Sequence, residues 1–440
     1  MSRILVVAIG SAGDVFPLIG IARVLQQRGH RVVFATHAPF ELLVRRQGFE
    51  FLAIGSAEHY EAGMRDPALW NPRTSLRTLW GLIAPTLPEL FHDLRRAVDQ
   101  DTVIVGTLWA WSARMVQECD QVPFVSVQIS PSTLLSAHAP PTHKRIGLPR
   151  WLPLPLRRLL IHGIDRLLLD RLFGPATNDL RRQLNLPPVK RIFTRWMHSP
   201  DGVLCLFPAW FAAPQPDWPA QAFLSGFPMF SEGSALDSDL LAYLAEGPPP
   251  VIFTAGSTLA DDAHFFACIR HALALTGQRG IWLTPDPACA RYAGSHLAVR
   301  SFVPLDALLP HCRILVHHGG VGTAALAYAA GVPQLVTPFA HDQFDNAQRV
   351  AQSGCGVRLD APLAQDTLAR ALQRMLADPS YRVQSARYRD RLLAEPPGGA
   401  AAADFIEQVL RRRILQGRAG VKDFATAGQN PAAQISGGAV

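Results

Sequence analysis

Two short motifs in the last third of the sequence carry residue types that could bind and react. His317-His318-Gly319-Gly320-Val321-Gly322-Thr323 follows an apolar strand (Arg313 to Val316) and opens a small-residue helix predicted over Thr323 to Ala330. Glycines let backbone N–H groups approach an anion, and a helix N-terminus adds partial positive charge. The stretch reads as a phosphate cradle, to which a histidine can donate one more hydrogen bond. Beyond a further apolar strand and Pro338 comes His341-Asp342-Gln343. An acid beside an amide supplies both acceptors and donors for sugar hydroxyls. Together the two motifs suggest a nucleotide-sugar site.

Such motifs need strands that deliver turns to one edge, and the sequence sets up that arrangement twice. The first half opens with a strand (Arg3 to Ile9), a turn (Gly10-Ser11-Ala12-Gly13-Asp14) and a helix (Val15 to Arg28). Apolar runs follow at Val32 to Ala35, Val103 to Val105, Phe124 to Val127 and Val203 to Phe207, separated by helical patterns as in βαβ units. A Pro-rich stretch, Pro208 to Pro228, breaks the pattern. The second half restarts with a strand (Val251 to Thr254), the turn Gly256-Ser257-Thr258 and a helix. Further strand-like runs lie at Gly280 to Leu283, Leu297 to Phe302, Arg313 to His317, Gln334 to Thr337 and Gly356 to Leu359. The predicted class is α/β, with two facing Rossmann-like, doubly wound domains and a deep cleft at the carboxyl ends of their strands. The expected boundaries are a first domain over 1–215, a linker over 216–248, a second domain over 249–395, a helix over 396–416 that crosses back, and a flexible tail over 417–440.

Composition excludes other classes. At 440 residues, with 48% hydrophobic and 18% charged residues, the protein is core-rich and globular, and two domains are the natural expectation. Six scattered cysteines (Cys119, Cys205, Cys268, Cys289, Cys312, Cys355) form no Cys-x-x-Cys pair and read as buried free thiols in a reducing compartment. The first apolar run is too short for a signal peptide, and no run is long enough to span a membrane, so the expected location is the cytoplasm. Net charge is +7 with pI near 9.4. Much of it lies in residues 144–171, where Lys144, Arg145, Arg150, Arg157, Arg158, Arg166 and Arg171 outweigh Asp165 and Asp170. Leucines and Trp151 interleave with these arginines. Two readings are open: a basic amphipathic surface that touches anionic lipid or substrate, or a solvated helix face with its leucines in the core. No nucleic-acid motif accompanies the charge.

The residues also resemble a known family. The Gly-Ser-Ala-Gly-Asp-Val-x-Pro start, the His-His-Gly-Gly-x-Gly-Thr turn and the Asp-Gln pair are similar to family 1 glycosyltransferases with the GT-B fold, over almost the whole length except the tail. Ile9 to Pro17, Ser130 to Ala137, Trp196 to Pro200, Cys205 to Phe211 and Ala340 to Ala347 resemble, more narrowly, the rhamnosyltransferases of rhamnolipid synthesis. That resemblance implies an acceptor-binding first domain and a nucleotide-sugar-binding second one. It implies transfer of L-rhamnose from dTDP-L-rhamnose to the hydroxyl of a 3-(3-hydroxyalkanoyloxy)alkanoic acid, with inversion, giving a mono-rhamnolipid. The expected partners are the nucleotide sugar and the lipid hydroxy-acid, with peripheral contact to the inner membrane and to the enzyme that makes the acceptor. No separate cofactor and no metal is implied.

Residue by residue, Phe302-Val303-Pro304-Leu305 stands at the family's Trp-x-Pro-Gln run. Phe302 is implied to stack on the base and the Val303 backbone to bond its edge; the Gln is absent. Ala325 stands where uridine-using relatives often place a Glu on the ribose, which fits a deoxyribose donor. His317 is implied to contact the diphosphate, with Gly319, Gly320, Gly322 and Thr323 shaping the turn and Ser257 and Thr258 facing it. Asp342 and Gln343 would hold the sugar. Asp14 stands where many relatives carry a histidine base, and Val105-Gly106-Thr107 where they carry that histidine's aspartate. The implied role is a carboxylate base acting alone; the alternative is an N-cap for the helix starting at Val15. Trp109 and Ser132 are candidate acceptor contacts within the Trp- and Leu-rich stretch from Trp70 to Ala137. Rival classes are weaker. An oxidoreductase lacks Gly-x-Gly-x-x-Gly in either first turn, a serine hydrolase lacks Gly-x-Ser-x-Gly, and a silent binding subunit would not need Asp14.

Overall fold

A computed structural model describes residues 1–144, 147–149, 151–233, 235–254, 262–360 and 363–427, with backbone alone at 262 and 413–427. The first sheet holds β1 (Arg3–Ala8), β2 (Arg31–Thr36), β3 (Glu50–Ala53), β4 (Thr102–Thr107), β5 (Phe124–Gln128), β6 (Gly202–Cys205) and β7 (Ala222–Leu224), in the order β3-β2-β1-β4-β5-β6-β7. The second holds β8 (Val251–Thr254), β9 (Gly280–Leu283), β10 (Leu297–Arg300), β11 (Ile314–His317), β12 (Gln334–Val336) and β13 (Gly356–Arg358), in the order β10-β9-β8-β11-β12-β13. Every pairing between these strands is parallel. The central strands are continuous apolar runs because helices cover both faces, as parallel sheets require. Strand order reverses between β1 and β4 in one sheet and between β8 and β11 in the other. Crevices open at those points. The Gly10–Asp14 turn leaves β1, and the His317–Gly320 turn leaves β11.

Two strands depart from the sequence reading. β3 was not expected, and β7 falls inside the stretch read as linker, so the first sheet continues past 215. Both are short edge strands. An edge strand is partly solvated and needs no continuous apolar run, so composition does not mark it.

The domains share an apolar seam. Phe207, Phe211 and Phe227 from the first side pack with Val321, Ala324 and Tyr328 of the helix Val321–Ala330. Trp210 stands edge-on to Tyr328, with ring centroids 5.1 Å apart. The last helix, Gly398–Ala427, lies on the first domain. It continues past 416, where the tail was expected to begin, because no proline interrupts it there. The rest of the expected tail, 428–440, lies outside the described residues. Ala402, Ala403, Ile406 and Val409 of the helix join the core formed by β1, β4 and the helix Ala12–Gln27. Phe405 stacks on Phe223 of β7 at 4.9 Å, and Gly202 makes room for it, since a Cβ there would lie 2.9 Å from the Phe405 ring. Arg28 and His30 pair with Asp404 and Glu407 at the rim. A polypeptide that leaves the second domain and buries a helix in the first restrains how far the cleft can open.

Removing the fully buried Ile406 side chain should therefore be felt across both domains. Ile406→Ala is expected to cost about 2–5 kcal/mol, as large-to-small core changes do. Thermal unfolding should begin at lower temperature, and limited proteolysis should cut the last helix first. An unchanged melt would show that the helix is not a clamp.

Candidate active site

The first wall of the cleft is the turn after β1. The helix begins at Ala12, earlier than Val15, with Ser11 as its N-cap. Asp14 is thus not the N-cap but the third residue of the helix. Its Oδ2 accepts from Ser11 N at 2.8 Å and from Ser11 Oγ at 3.3 Å, while Asp14 N donates to Ser11 O at 2.9 Å. This is the reciprocal arrangement of a capping box. It requires glycine at position 10, where φ is +139° and a Cβ would stand 2.2 Å from Asp14 Oδ2. Oδ1 has no hydrogen-bond partner among the described residues.

Asp14 is half-buried in the cleft wall, within reach of the charge of Asp342 of the other domain. Burial, and then the Asp342 charge, raise its pKa to about 7 against the pull of the Ser11 hydrogen bonds. Tyr60 lies beside it and is itself pushed to about 12 by burial and by Asp14. At the end of β4 stands Thr107, whose hydroxyl accepts from Ile9 N (3.0 Å) and donates to Ile9 O (3.2 Å). It stitches β4 to the start of the turn and carries no charge. Of the described acids, Asp342 of the other domain is the one whose charge acts on Asp14.

The opposite wall is the turn after β11. Gly320 caps the helix Val321–Ala330 with no side chain, so the first amides, at Val321, Gly322 and Thr323, have no side-chain partner. Gly319, with φ +98°, packs where a Cβ would be 2.9 Å from Val336 Cγ1. At Gly322 a Cβ would meet nothing within 4 Å, so open space lies over the helix end.

The histidines divide differently from the sequence reading. His317 is fully buried. Gly319 N donates to its Nδ1 (3.2 Å), which leaves the proton on Nε2 to be donated to Gln334 Oε1 at 3.1 Å. Both nitrogens are occupied, and burial drives its pKa down to about 3. His317 therefore holds the turn and does not reach a phosphate. His318 is the free one. Among the described residues its Nδ1 has no partner, its pKa is pushed down to about 4 by burial, and its ring lies 6.1 Å from that of Phe339. The doubled histidine was the only sequence signal for this exchange, and only geometry separates the two rings.

The Asp-Gln pair splits in the same way. Gln343 Oε1 accepts from Phe339 N and Ala340 N, both at 3.0 Å, so its carbonyl closes its own turn and only its amide end is left for a ligand. Asp342 is half-buried, and its partial burial raises its pKa. Its Oδ2 accepts from Asn346 Nδ2 at 2.9 Å, and that amide also reaches Gly319 O at 3.0 Å. Asn346 Oδ1 accepts from Ser130 Oγ of the first domain at 3.2 Å, and Ser130 pairs with Ser132 at 3.2 Å. Ser132 thus belongs to a polar bridge between the domains. Ser130 and Asn346 lie within the resemblance stretches Ser130 to Ala137 and Ala340 to Ala347, but sequence alone assigned neither a role, because single polar residues in a loop and a helix carry no local signature. His341 adopts φ +51° and packs edge-on to Trp70 of the first domain at 5.4 Å.

The remaining expectations fall on both sides. Phe302 is 69% exposed, a bare ring past the end of β10 that a planar base could cover, while Val303 beside it is buried. Trp109 is in the core: it packs against Trp111 and Phe173 at 6.1 and 6.0 Å and is not free to meet an acceptor. Ser257 and Thr258 lie outside the described residues. No group of three or more His, Cys, Asp or Glu side chains that could hold a metal occurs among the described residues.

These placements can be checked by substitution. Asp14→Asn keeps an acceptor for Ser11 but cannot take a proton, so turnover should fall by orders of magnitude. An aspartate held near 7 when folded and near 3.9 when unfolded favours the folded state below about pH 4, and its cost grows as pH rises toward 7. Asp14→Asn should therefore melt higher than the parent at pH 8 and show no such gain at pH 4. A variant that melts lower at pH 8 and turns over normally would reduce Asp14 to a cap. His318→Ala should weaken nucleotide-sugar binding with little change in melting temperature, and His317→Ala should lower the melting temperature first; the reverse pattern, read by calorimetry, would restore His317 as the ligand.

Both walls have counterparts in known proteins. Residues 4–139 match the glycosyltransferase family 28 N-terminal domain, and residues 293–407 match the erythromycin biosynthesis protein CIII-like C-terminal domain. The chain is 28% identical over 442 residues to the sterol 3-beta-glucosyltransferase UGT80B1 of Arabidopsis thaliana, covering 93% of this chain and 68% of that one. It is 28% identical over 415 residues to the O-mycaminosyltylonolide 6-deoxyallosyltransferase of Streptomyces fradiae, covering 89% and 94%. Among solved structures, the glycotransferase of kitacinnamycin superposes with a TM-score of 0.72 at 21% identity, covering 93% of this chain and 99% of the other. The fold, the two domain matches and relatives aligned over 89–93% of this chain agree: the chain is a glycosyltransferase of the GT-B fold.

Proposed function

We propose that this glycosyltransferase moves L-rhamnose from dTDP-L-rhamnose to the hydroxyl of a 3-(3-hydroxyalkanoyloxy)alkanoic acid and releases a mono-rhamnolipid. The arrangement that carries the chemistry is the Asp14 carboxyl, its pKa raised to about 7 by burial and by the Asp342 charge, across the cleft from a helix N-terminus with no side-chain cap. Asp14 Oδ1 takes the proton of the acceptor hydroxyl as its oxygen bonds to the anomeric carbon. The bond from that carbon to the diphosphate breaks, and the leaving charge meets the amides of Val321, Gly322 and Thr323 together with His318. Asp342 and the amide end of Gln343 bond the sugar hydroxyls in this reading. One displacement inverts the anomeric carbon.

Donor and acceptor rest on narrower support. Phe302 offers a face for the base, and Ala325, buried against the seam, offers no acceptor for a 2′-hydroxyl, which suits deoxyribose. Relatives named for a sterol and for a tylonolide acceptor favour a second reading, in which the same donor site serves another lipophilic hydroxyl. The stretches Ser130 to Ala137 and Trp196 to Pro200 support the lipid hydroxy-acid.

The test is mass spectrometry of purified protein with mixed dTDP- and UDP-sugars and a hydroxyalkanoyloxyalkanoate. A rhamnosylated lipid formed from dTDP-rhamnose alone is expected, with the inverted anomer by NMR. Transfer from a UDP-sugar, or to a sterol but not to the hydroxy-acid, would discard the rhamnolipid reading. Since the base must be ionised, kcat/KM should rise through about pH 7 and level off above it. A profile flat from pH 5 to 9 would remove Asp14 as the base.

A further inference from the structure

The basic segment of the first domain forms a surface that the transfer reaction leaves unexplained. The helix Leu154–Ile164 runs through a wider turn, Asp165–Leu169, into the helix Asp170–Gln183. The first of these, LPLRRLLIHGI, is rich in Leu and Ile and contains no buried residue. Leu156, Leu159, Leu160 and Leu167 follow helical spacing and are 40%, 66%, 38% and 57% exposed; Leu168 is 63% exposed and Trp151, just before the helix, 80%. Single exposed leucines are ordinary, but a continuous stripe of them on one helix marks a face that something covers. The reading that placed these leucines in the core is thereby excluded.

Charge says what covers it. Arg158, Arg166 and Arg171 flank the stripe, and Arg166 and Arg171 are exposed. The two acidic side chains of the stretch turn away. Asp165 is fully buried and bonds Thr194, and Asp170 accepts from the backbone N–H groups of Arg191 and Ile192. What points outward is apolar or cationic, with a tryptophan at one end. That is the make-up of a helix lying in the interface of an anionic bilayer, leucines among the acyl chains and arginines at the phosphates. No helix among the described residues is long and apolar enough to cross a membrane, so the contact would be one of lying on, not spanning.

We propose that the face carrying Trp151, Leu156, Leu159, Leu167 and Leu168 docks on an anionic phospholipid bilayer. The position gives the docking a use. Arg157 Nη1 donates to His138 O at 3.3 Å, and Arg158 bonds the His138 ring at 3.1 Å. The segment from there reaches Thr142, whose N–H donates to Asp345 Oδ1 at 2.9 Å beside the bridging Asn346. The helix is therefore tied to the lip of the cleft, and a docked protein would present that lip to the membrane surface from which an acylated acceptor emerges. That last step rests on the lipid acceptor proposed above; the docking does not.

The experiment is co-sedimentation of the full-length protein, without substrates, with vesicles of phosphatidylcholine alone or mixed with phosphatidylglycerol. The protein should pellet with the anionic vesicles only, and less at high salt. Leu159→Asp with Leu168→Asp, and separately Arg166→Glu with Arg171→Glu, should each lower the partition coefficient by about tenfold or more while leaving the melting temperature unchanged. Absence of binding to anionic vesicles, or equal binding by parent and variants, would overturn the proposal. So would a concentration-dependent dimer in light scattering that the leucine variants abolish, since a second copy would then be the occupant. Vesicle binding without a rhamnolipid product would leave docking intact and sink the acceptor reading; product formation without vesicle binding would do the opposite.

Discussion

Two carboxylates from different domains, Asp14 and Asp342, stand half-buried in one cleft, and the Asp342 charge acts on Asp14. Burial already disfavours ionisation of each, and proximity disfavours ionisation of both together. Much of the surrounding structure is arranged around that conflict. Ser11 supplies two hydrogen bonds to Asp14, Asn346 supplies one to Asp342, and Gly10 leaves the space that lets the first carboxylate fold beneath its own turn. The result is a carboxyl group whose affinity for protons is matched to neutral pH.

The same economy governs the opposite wall. A turn that must present bare amides cannot use its side chains as caps, so it is stabilised from behind. His317 does this by accepting from Gly319 and donating to Gln334, which takes it out of the chemistry. Gln343 does it again for the turn after β12. The bridge from Ser132 through Ser130 and Asn346 to Gly319 fastens that wall to the first domain. The residues that look most like ligands are in part the braces, and their neighbours face the open space.

Larger packing sets the distance between the walls. The aromatic seam around Trp210 and Tyr328 joins the domains at one end, and the last helix returns to the first core through Ile406 and Phe405. Trp70 meets His341 across the gap. A cleft held at seam, helix and rim keeps the carboxylates close enough to interact.

The parallel sheets were legible in the sequence, because a strand covered on both faces must be apolar throughout and central strands such as Ile4 to Ala8 and Ile314 to Val316 are. The glycine turns were legible too, since positive φ and close approach demand glycine at 10 and 319. So were the chemical types available: a carboxylate in one turn, histidines and an acid in the others. The edge strands β3 and β7 were not, because partial exposure leaves no pattern. Nor were the roles of His317 and His318, of Gln343, or of Trp109, because which nitrogen is spent, or which ring is covered, depends on partners such as Gln334 and Phe173 distant in sequence. The raised pKa of Asp14 belongs to the same class. The sequence by itself determined which groups reach the cleft; only the tertiary structure, by burying some and leaving others without a partner, decided which of them are free to act.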